Sequence, residues 1–229
     1  MEIFALIPVK GFRNAKQRLS GVLGTAERGT LAEVMFRDVL REVARAPGLA
    51  GTFVVTGDDH VSRIARSLGA KVIRERVEKG ETDAVEFARV ELKKVGCEAV
   101  LIVPGDIPMV RASDIEKVVS QIPEGMGAPF ALLVPSHDRM GTNALLLSPP
   151  DIIKLRFGYD SFTYHMGQLA AEGLPLRFME NERIALDIDE PKDLERFLSL
   201  DFDHGESNRV ARGMFATQHE HKTRRSGGL

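Results

Sequence analysis

From the N-terminus to about residue 125, short β-branched and aliphatic runs alternate with stretches whose apolar residues recur every three or four positions. Such alternation predicts a parallel sheet covered by helices. Ile3 to Val9 is a continuous apolar run, as expected of a strand buried on both faces. A helix follows from about Ala26, with Leu31, Met35, Val39 and Val43 in one row and Thr25 as its N-cap. "GTFVVTGDD" reads as the second strand, and His60 to Leu68 as a helix stopped by Gly69. "KVIRE" is a short third strand. Ala84, Phe87, Ala88, Leu92 and Val95 mark the next helix, and Asp83-x-x-Glu86 has the form of a capping box at its start. "EAVLIVPGD" is the fourth and most hydrophobic strand, and Ser113-Asp-Ile-Glu116 is a second capping box.

Beyond residue 125 the tempo changes. "FALLVPSH" and "NALLLSPP" read as strands joined by a tight polar turn from Asp138 to Thr142. Ser161 to Glu172 reads as a helix between Gly158 and Gly173, and Leu174 to Phe178 and Arg183 to Ile188 as further strands. Pro191 to Leu200 closes the fold as a helix with proline in its first turn. No repeat or composition break divides residues 1–200, which form one α/β domain. Residues 201–229 are a polar C-terminal extension, either partly disordered or docked on a partner chain. Val210, Met214 and Phe215 are its apolar positions, so docking is expected to about Phe215 with the last dozen residues frayed.

Bulk composition narrows the class. The chain has 229 residues, 43% apolar and 28% charged, enough for a sizeable core. A formal net charge of −2 gives no global basic field for nucleic acid or an acidic membrane. No apolar run approaches a membrane span, and "MEIFALIPVK" lacks signal-peptide form. Cys97 is the only cysteine, so no internal disulfide forms, and it reads as a small buried hydrophobe. These features predict a soluble cytoplasmic protein.

Two groups of charges carry the candidate chemistry. "PVKGFRNAKQRLSG" places Lys10, Arg13, Lys16 and Arg18 just past the end of the first strand. Cations so crowded repel unless an anion or a partner's acidic side chains join them; the rival reading is a solvated helix start. Asp106 lies three residues past the fourth apolar run, where open α/β sheets bind ligands, although an aspartate there also suits a turn or N-cap. In "ALDIDEP" an extended backbone puts Asp187 and Asp189 on one face, where they repel unless a cation lies between them; Asp189 could instead cap the following helix. Carboxylates at strand ends suit Mg2+, bound through few protein oxygens plus substrate phosphates. His60, His137, His165, His204, His219 and His221 lack zinc-ligand spacing. A cationic loop and an acidic site together suggest a magnesium–nucleoside triphosphate, although neither G-x-x-x-x-G-K-[ST] nor G-x-G-x-x-G is present.

In order and spacing, "IPVKGFRNAKQRL", "VPGDIPMV", "GTNALLL", "FGYDSF" and "ALDIDEP" resemble the 2-phospholactate guanylyltransferase family of deazaflavin coenzyme (factor 420) biosynthesis. The resemblance runs over roughly residues 3–200. It implies a single Rossmann-like nucleotide-diphospho-sugar transferase fold, a mixed, mostly parallel sheet flanked by helices. It implies transfer of GMP from GTP to a three-carbon phosphoacid, 2-phospho-L-lactate in the first place or else phosphoenolpyruvate, with release of pyrophosphate. By the same resemblance Asp106, Asp187 and Asp189 are the magnesium ligands, and Thr142, Gly158 and Ser161 hold the phosphoacid. Lys10 and Lys16 fall at the lysines shared by the family motif and would contact the triphosphate with Asp106 at the reacting centre, Arg18 helping and Arg13 solvated. Taken alone, Thr142 could be a turn residue, Gly158 a loop glycine and Ser161 an N-cap, and an N-cap is compatible with phosphate binding. "GETDAVEFA" departs from the family's G-L-N-x-A: Gly80 is kept, while Asp83 replaces asparagine at the position expected to hold base or ribose. Asp83 as a plain N-cap is equally open. The resemblance implies a homodimer, to which exposed-looking Phe157, Tyr159 and Phe162 would contribute. A cytidylyl- or uridylyltransferase acting on a sugar phosphate, or a non-catalytic nucleotide-binding protein, is the alternative on this fold.

Overall fold

The computed structural model describes residues 1–77, 79–123, 129–200 and 205–226, with side chains described as far as residue 216. The apolar runs form a six-stranded sheet. Its strands are β1 (Ile3–Pro8), β2 (Gly51–Thr56), β3 (Lys71–Arg74), β4 (Ala99–Ile102), β5 (Phe130–Pro135) and β6 (Thr142–Ser148). The order is β3-β2-β1-β4-β6-β5. β1 to β4 run parallel, and β6 runs antiparallel to both β4 and β5.

Both faces of the sheet are covered, which explains the unbroken apolar runs. Ile3, Ala5 and Ile7 enter one core with α1 (Thr25–Ala44), α2 (Asp59–Ser67) and α4 (Ala112–Val119). Phe4 and Leu6 enter the other with α3 (Glu81–Lys94) and α5 (Ser161–Ala171), and Cys97 is buried there. The expected row on α1 divides: Val39 and Val43 face the sheet, while Leu31 and Met35 join a third cluster. That cluster gathers Leu19, Leu186, Ile188, Leu194 and Phe197 beneath α6 (Pro191–Ser199) and α7 (Gly205–Ser226).

Val210, Met214 and Phe215 of α7 pack against this third cluster of the same chain, and Ser207 N–H donates to buried Asp38 of α1 at 2.8 Å. From Gly205 the extension is helical through Ser226 and packs on its own chain as far as Phe215, and residues 201–204 and 227–229 lie outside the described residues. His204 and the side chains of His219 and His221 lie outside them too.

Several expected helix starts and strands are corrected. Gly24, not Thr25, caps α1; Gly80, not Asp83, caps α3; Asp160, not Ser161, caps α5. At α4 the cap is Arg111, whose N–H donates to Asp114, so the Ser113–Glu116 box is not formed. Residues 174–178 make only an isolated bridge, Phe178 beside Leu133. Arg183 to Ile188 is a turn followed by unpaired extended chain. Its backbone bonds go elsewhere: His137 N–H donates to Ala185 O at 2.9 Å, and Ile188 N–H to Asp106 O at 3.1 Å. The second bond carries Asp187 and Asp189 to Asp106.

Candidate active site

The chain moves from β1 outward to β2 and β3, then returns to place β4 on the other flank of β1. Open sheets bind ligands at this switch, outside the carboxyl ends of the strands. Lys10 follows β1 there and Asp106 follows β4. Gly11 lets the loop pass close to the first turn of α2, because a Cβ on it would lie 2.6 Å from Asp58 Oδ2.

Lys16 organises the acidic side. Its Nζ donates to Asp106 Oδ2 at 2.5 Å and to Asp189 Oδ1 at 2.7 Å, with only 8% of its side chain exposed. Burial by itself would lower the ammonium's pKa; Asp106 and Asp189 outweigh it and hold it well above the usual lysine range. Asp189, in turn, is held below the usual carboxylate range, its partial burial outweighed by Lys16. Arg18 is 70% exposed and lies 3.9 Å from Asp189 and 3.7 Å from Glu190. Lys10 and Arg13 are exposed at the mouth of an adjoining cleft.

Lys16 does not neutralise the whole site. Burial, then the Asp106 charge, pushes Asp187 up to about 6, although Asn143 Nδ2 donates to it at 3.0 Å. Enclosure by the cleft, then Asp106, pushes Glu81 up to about 7 against the pull of Lys10. Glu81 nevertheless keeps solvent access at the cleft wall. Among the described residues, no three histidine, cysteine, aspartate or glutamate side chains converge as a ready metal cage.

The main cleft, about 560 Å³, brings together Arg18, Asp106, Asp187 and Asp189 with Thr142, Gly158 and Ser161. Two further clefts, about 220 and 440 Å³, also reach Asp106; Lys10 lines both and Lys16 the larger. Asp106 is therefore the junction of all three. The second wall is neutral. Thr142 N–H donates to Ser161 Oγ at 3.0 Å, and both residues are buried. Gly158, at φ +102°, sits in a conformation that side chains other than glycine's rarely adopt, and accepts from Ser161 N–H at 3.2 Å. Buried Arg89 of α3 donates to Pro150 O and Ile153 O, and Phe157 N–H donates to Thr82 Oγ1, which ties the approach to Gly158 onto α3.

The model of the family described as "Guanylyl transferase CofC like" matches residues 3–216. The chain belongs to this family. Among its relatives, the phosphoenolpyruvate guanylyltransferase of Conexibacter woesei is 34% identical, covering 87% of this chain and 89% of that one. The enzyme of that name from Rubrobacter xylanophilus is 37% identical over 86% and 93%. The 2-phospho-L-lactate guanylyltransferase of Methanothermobacter thermautotrophicus is 32% identical over 90% and 86%. Among solved structures, a Desulfovibrio desulfuricans G20 protein of the nucleotide-diphospho-sugar transferase type superposes with TM-score 0.76 at 19% identity, over 94% of this chain and 96% of that one. A cytidylyltransferase from Leptospira borgpetersenii superposes with TM-score 0.62 at 14% identity, over 97% and 96%. These establish the fold. The chain is a nucleotidyltransferase of the guanylyltransferase family, and among its described residues no helix is long and apolar enough to cross a membrane.

Within this family member the geometry sorts the expected residues. The acidic trio, Lys16 and Arg18 come together, as do Thr142, Gly158 and Ser161. Gly80 caps α3 at φ +131°, and Asp83 lies exposed in that helix's first turn; Glu81, rather than Asp83, lines the clefts. Of the aromatic residues, Tyr159 is 86% exposed, whereas Phe157 and Phe162 are partly buried against the core. The sequence assigned no role to Glu81 or Asn143 and named His165 only in dismissing zinc, although Asn143 stood beside Thr142 in "GTNALLL" and Glu81 beside Gly80 in "GETDAVEFA".

Proposed function

We propose that this enzyme transfers GMP from GTP to the phosphate of a three-carbon phosphoacid and releases pyrophosphate. The observation that carries the reading is Asp106 at the meeting point of a cationic cleft and a hydroxyl-lined one. An oxygen of the acceptor phosphate attacks the α-phosphorus of GTP; the new P–O bond forms as the bond to the bridging β-phosphate oxygen breaks. A phosphate monoester is already anionic near neutral pH, so no strong general base is needed. Rate then comes from positioning and charge neutralisation. Lys10 and Lys16, helped by Arg18, would hold the nucleotide phosphates. Gly80 shapes the turn carrying Glu81 toward the nucleoside, with Asp83 at its edge. Thr142, Gly158 and Ser161 would hold the acceptor.

The chemistry of the donor set fits magnesium: Asp106, Asp187 and Asp189 supply only oxygens, and Lys16 pairs with Asp106 and Asp189 while Asp187 is held by the neutral Asn143 amide. Bound by those aspartates and substrate phosphates, the ion would supply Lewis-acid neutralisation of the transferring phosphoryl group. Phosphoenolpyruvate is the favoured acceptor, because relatives at 34% and 37% identity carry that name. 2-Phospho-L-lactate is the second reading, favoured by the relative at 32% identity that carries that name. A homodimer is part of the reading, with exposed Tyr159, Leu176 and Phe178 as its candidate surface; sedimentation velocity tests it.

Incubation with GTP, CTP or UTP and a panel of phosphoacids, followed by mass spectrometry and pyrophosphate detection, tests the assignment. A GMP adduct of phosphoenolpyruvate or 2-phospho-L-lactate is expected. Turnover of CTP or UTP with sugar phosphates alone would overturn it.

A further inference from the structure

We propose that His165 is a positioning residue that fixes the direction of the Thr142 hydroxyl proton, so that Thr142 enters the cleft as a donor to the acceptor anion. The proposal rests on the reading of Thr142, Gly158 and Ser161 as the acceptor's wall.

His165 lies on α5 and is fully buried, with both ring nitrogens engaged. Arg156 N–H lies 3.2 Å from Nε2, and a backbone N–H can only donate. Nε2 must therefore carry a lone pair, and the proton of the neutral ring belongs to Nδ1. Nδ1 lies 3.0 Å from Thr142 Oγ1. The ring donates there and Oγ1 accepts, so the hydroxyl's own proton must point away from the imidazole. Thr142 is a cleft-lining residue. Ser161 follows the same logic, since its Oγ accepts from Thr142 N–H and its proton is likewise left to donate. Two hydroxyls whose acceptor sides are engaged from within form a donor pair suited to a phosphate or carboxylate oxygen.

Burial, then the charges of Arg156 and Arg89, push the imidazole down to about 4, so the ring stays neutral in this single tautomer at physiological pH. Phe157 and Tyr164 pack edge-on against the ring and hold its plane. No proton transfer to substrate is assigned to His165.

Two substitutions separate its bonds. His165→Asn keeps an N–H donor near the Nδ1 position, whereas His165→Gln can keep an acceptor near Nε2 but not the donation to Thr142. The acceptor KM should rise about tenfold in His165→Gln and stay within threefold of wild type in His165→Asn, with the GTP KM within twofold in both. In a Thr142→Val background, His165→Gln should add less than twofold. Equal increases of both KM values in both variants would show a structural role only and overturn the proposal. If Thr142→Val raises the acceptor KM but His165→Gln does not, the positioning role falls while the acceptor site stands. If Thr142→Val leaves the acceptor KM unchanged, the acceptor site itself falls, and the proposal with it. Should either variant fail to fold, 15N NMR of the wild-type full chain decides: a protonated Nδ1 with a bare Nε2 is expected, and the opposite tautomer overturns the assignment.

Discussion

The two walls of the main cleft are held in opposite ways. The loop side is made of charges that stabilise one another: Lys16 is locked between Asp106 and Asp189, and Asp187 and Glu81 remain crowded. The β6–α5 side is made of neutral groups, Thr142, Ser161 and His165, held in place by hydrogen bonds to one another and to the Arg156 backbone N–H. The first wall carries unresolved charge and so calls for polyanionic and cationic ligands. The second is preorganised before anything binds. This difference suits the reaction we propose, with a flexible triphosphate gripped on one side and a small acid oriented on the other.

The largest effect should come where the walls meet. Asp106→Asn is expected to lower turnover on the order of a hundredfold or more while the protein remains folded. Wild-type-like rates at limiting magnesium would break the division at its centre.

Support beneath the walls differs too. Leu19 of the loop and Leu186 and Ile188, the neighbours of Asp187, share the third cluster against which α7 packs, so truncation after Leu200 should weaken the charged wall. Burying each large apolar side chain contributes about 1.5–3 kcal/mol, so the melting temperature should fall by roughly 10 °C. Calorimetry and GTP titration of the truncated chain check this; unchanged melting would show that α7 supports nothing.

Acid sharpens the contrast on the neutral wall. His165 has a folded pKa of about 4 against an ordinary 6.5, so between those values the unfolded chain binds a proton that the folded one refuses. Its stabilising contribution is full above about pH 6.5 and lost as pH falls toward 4, about 2 kcal/mol of it by pH 5. Urea melts should show a smaller drop from pH 7 to pH 5 in His165→Asn than in wild type.

The loop cations should be unequal. Lys16→Ala and Lys10→Ala are each expected to weaken GTP binding about tenfold, with reduced salt sensitivity, while Arg13→Ala changes it less than twofold. Titrations showing unchanged affinity for both lysine variants would remove the triphosphate from this loop.

Much of the fold was legible because apolar runs and periodicity report burial directly. β1 to β6, α1 and Pro191 at the start of α6 all follow from them. Helix starts were less legible. Ser113 and Thr25 have capping chemistry, but Arg111 and Gly24 won their positions through bonds to Asp114 and Glu27 that local preference cannot rank. Arg183 to Ile188 reads as a strand because it is mostly apolar, yet its partners are the carbonyl of Asp106 and the N–H of His137. Asp106 stood out by its place after β4, and Asp187 and Asp189 by their spacing of two in an extended segment. That Lys16 would lie between Asp106 and Asp189 was not visible, since those residues are 90 and 173 positions away. His165 was hidden for a similar reason: its role depends on a backbone N–H that sequence alone cannot place.

The division between the walls is tested most directly by two-substrate initial-rate kinetics of Lys16→Ala, Thr142→Val and the double variant. Lys16→Ala should raise the KM of GTP, Thr142→Val that of the phosphoacid, and the double variant should show both losses multiplied, as for sites without shared partners. Both substitutions acting on the same KM, or a double variant no worse than the poorer single one, would contradict the account.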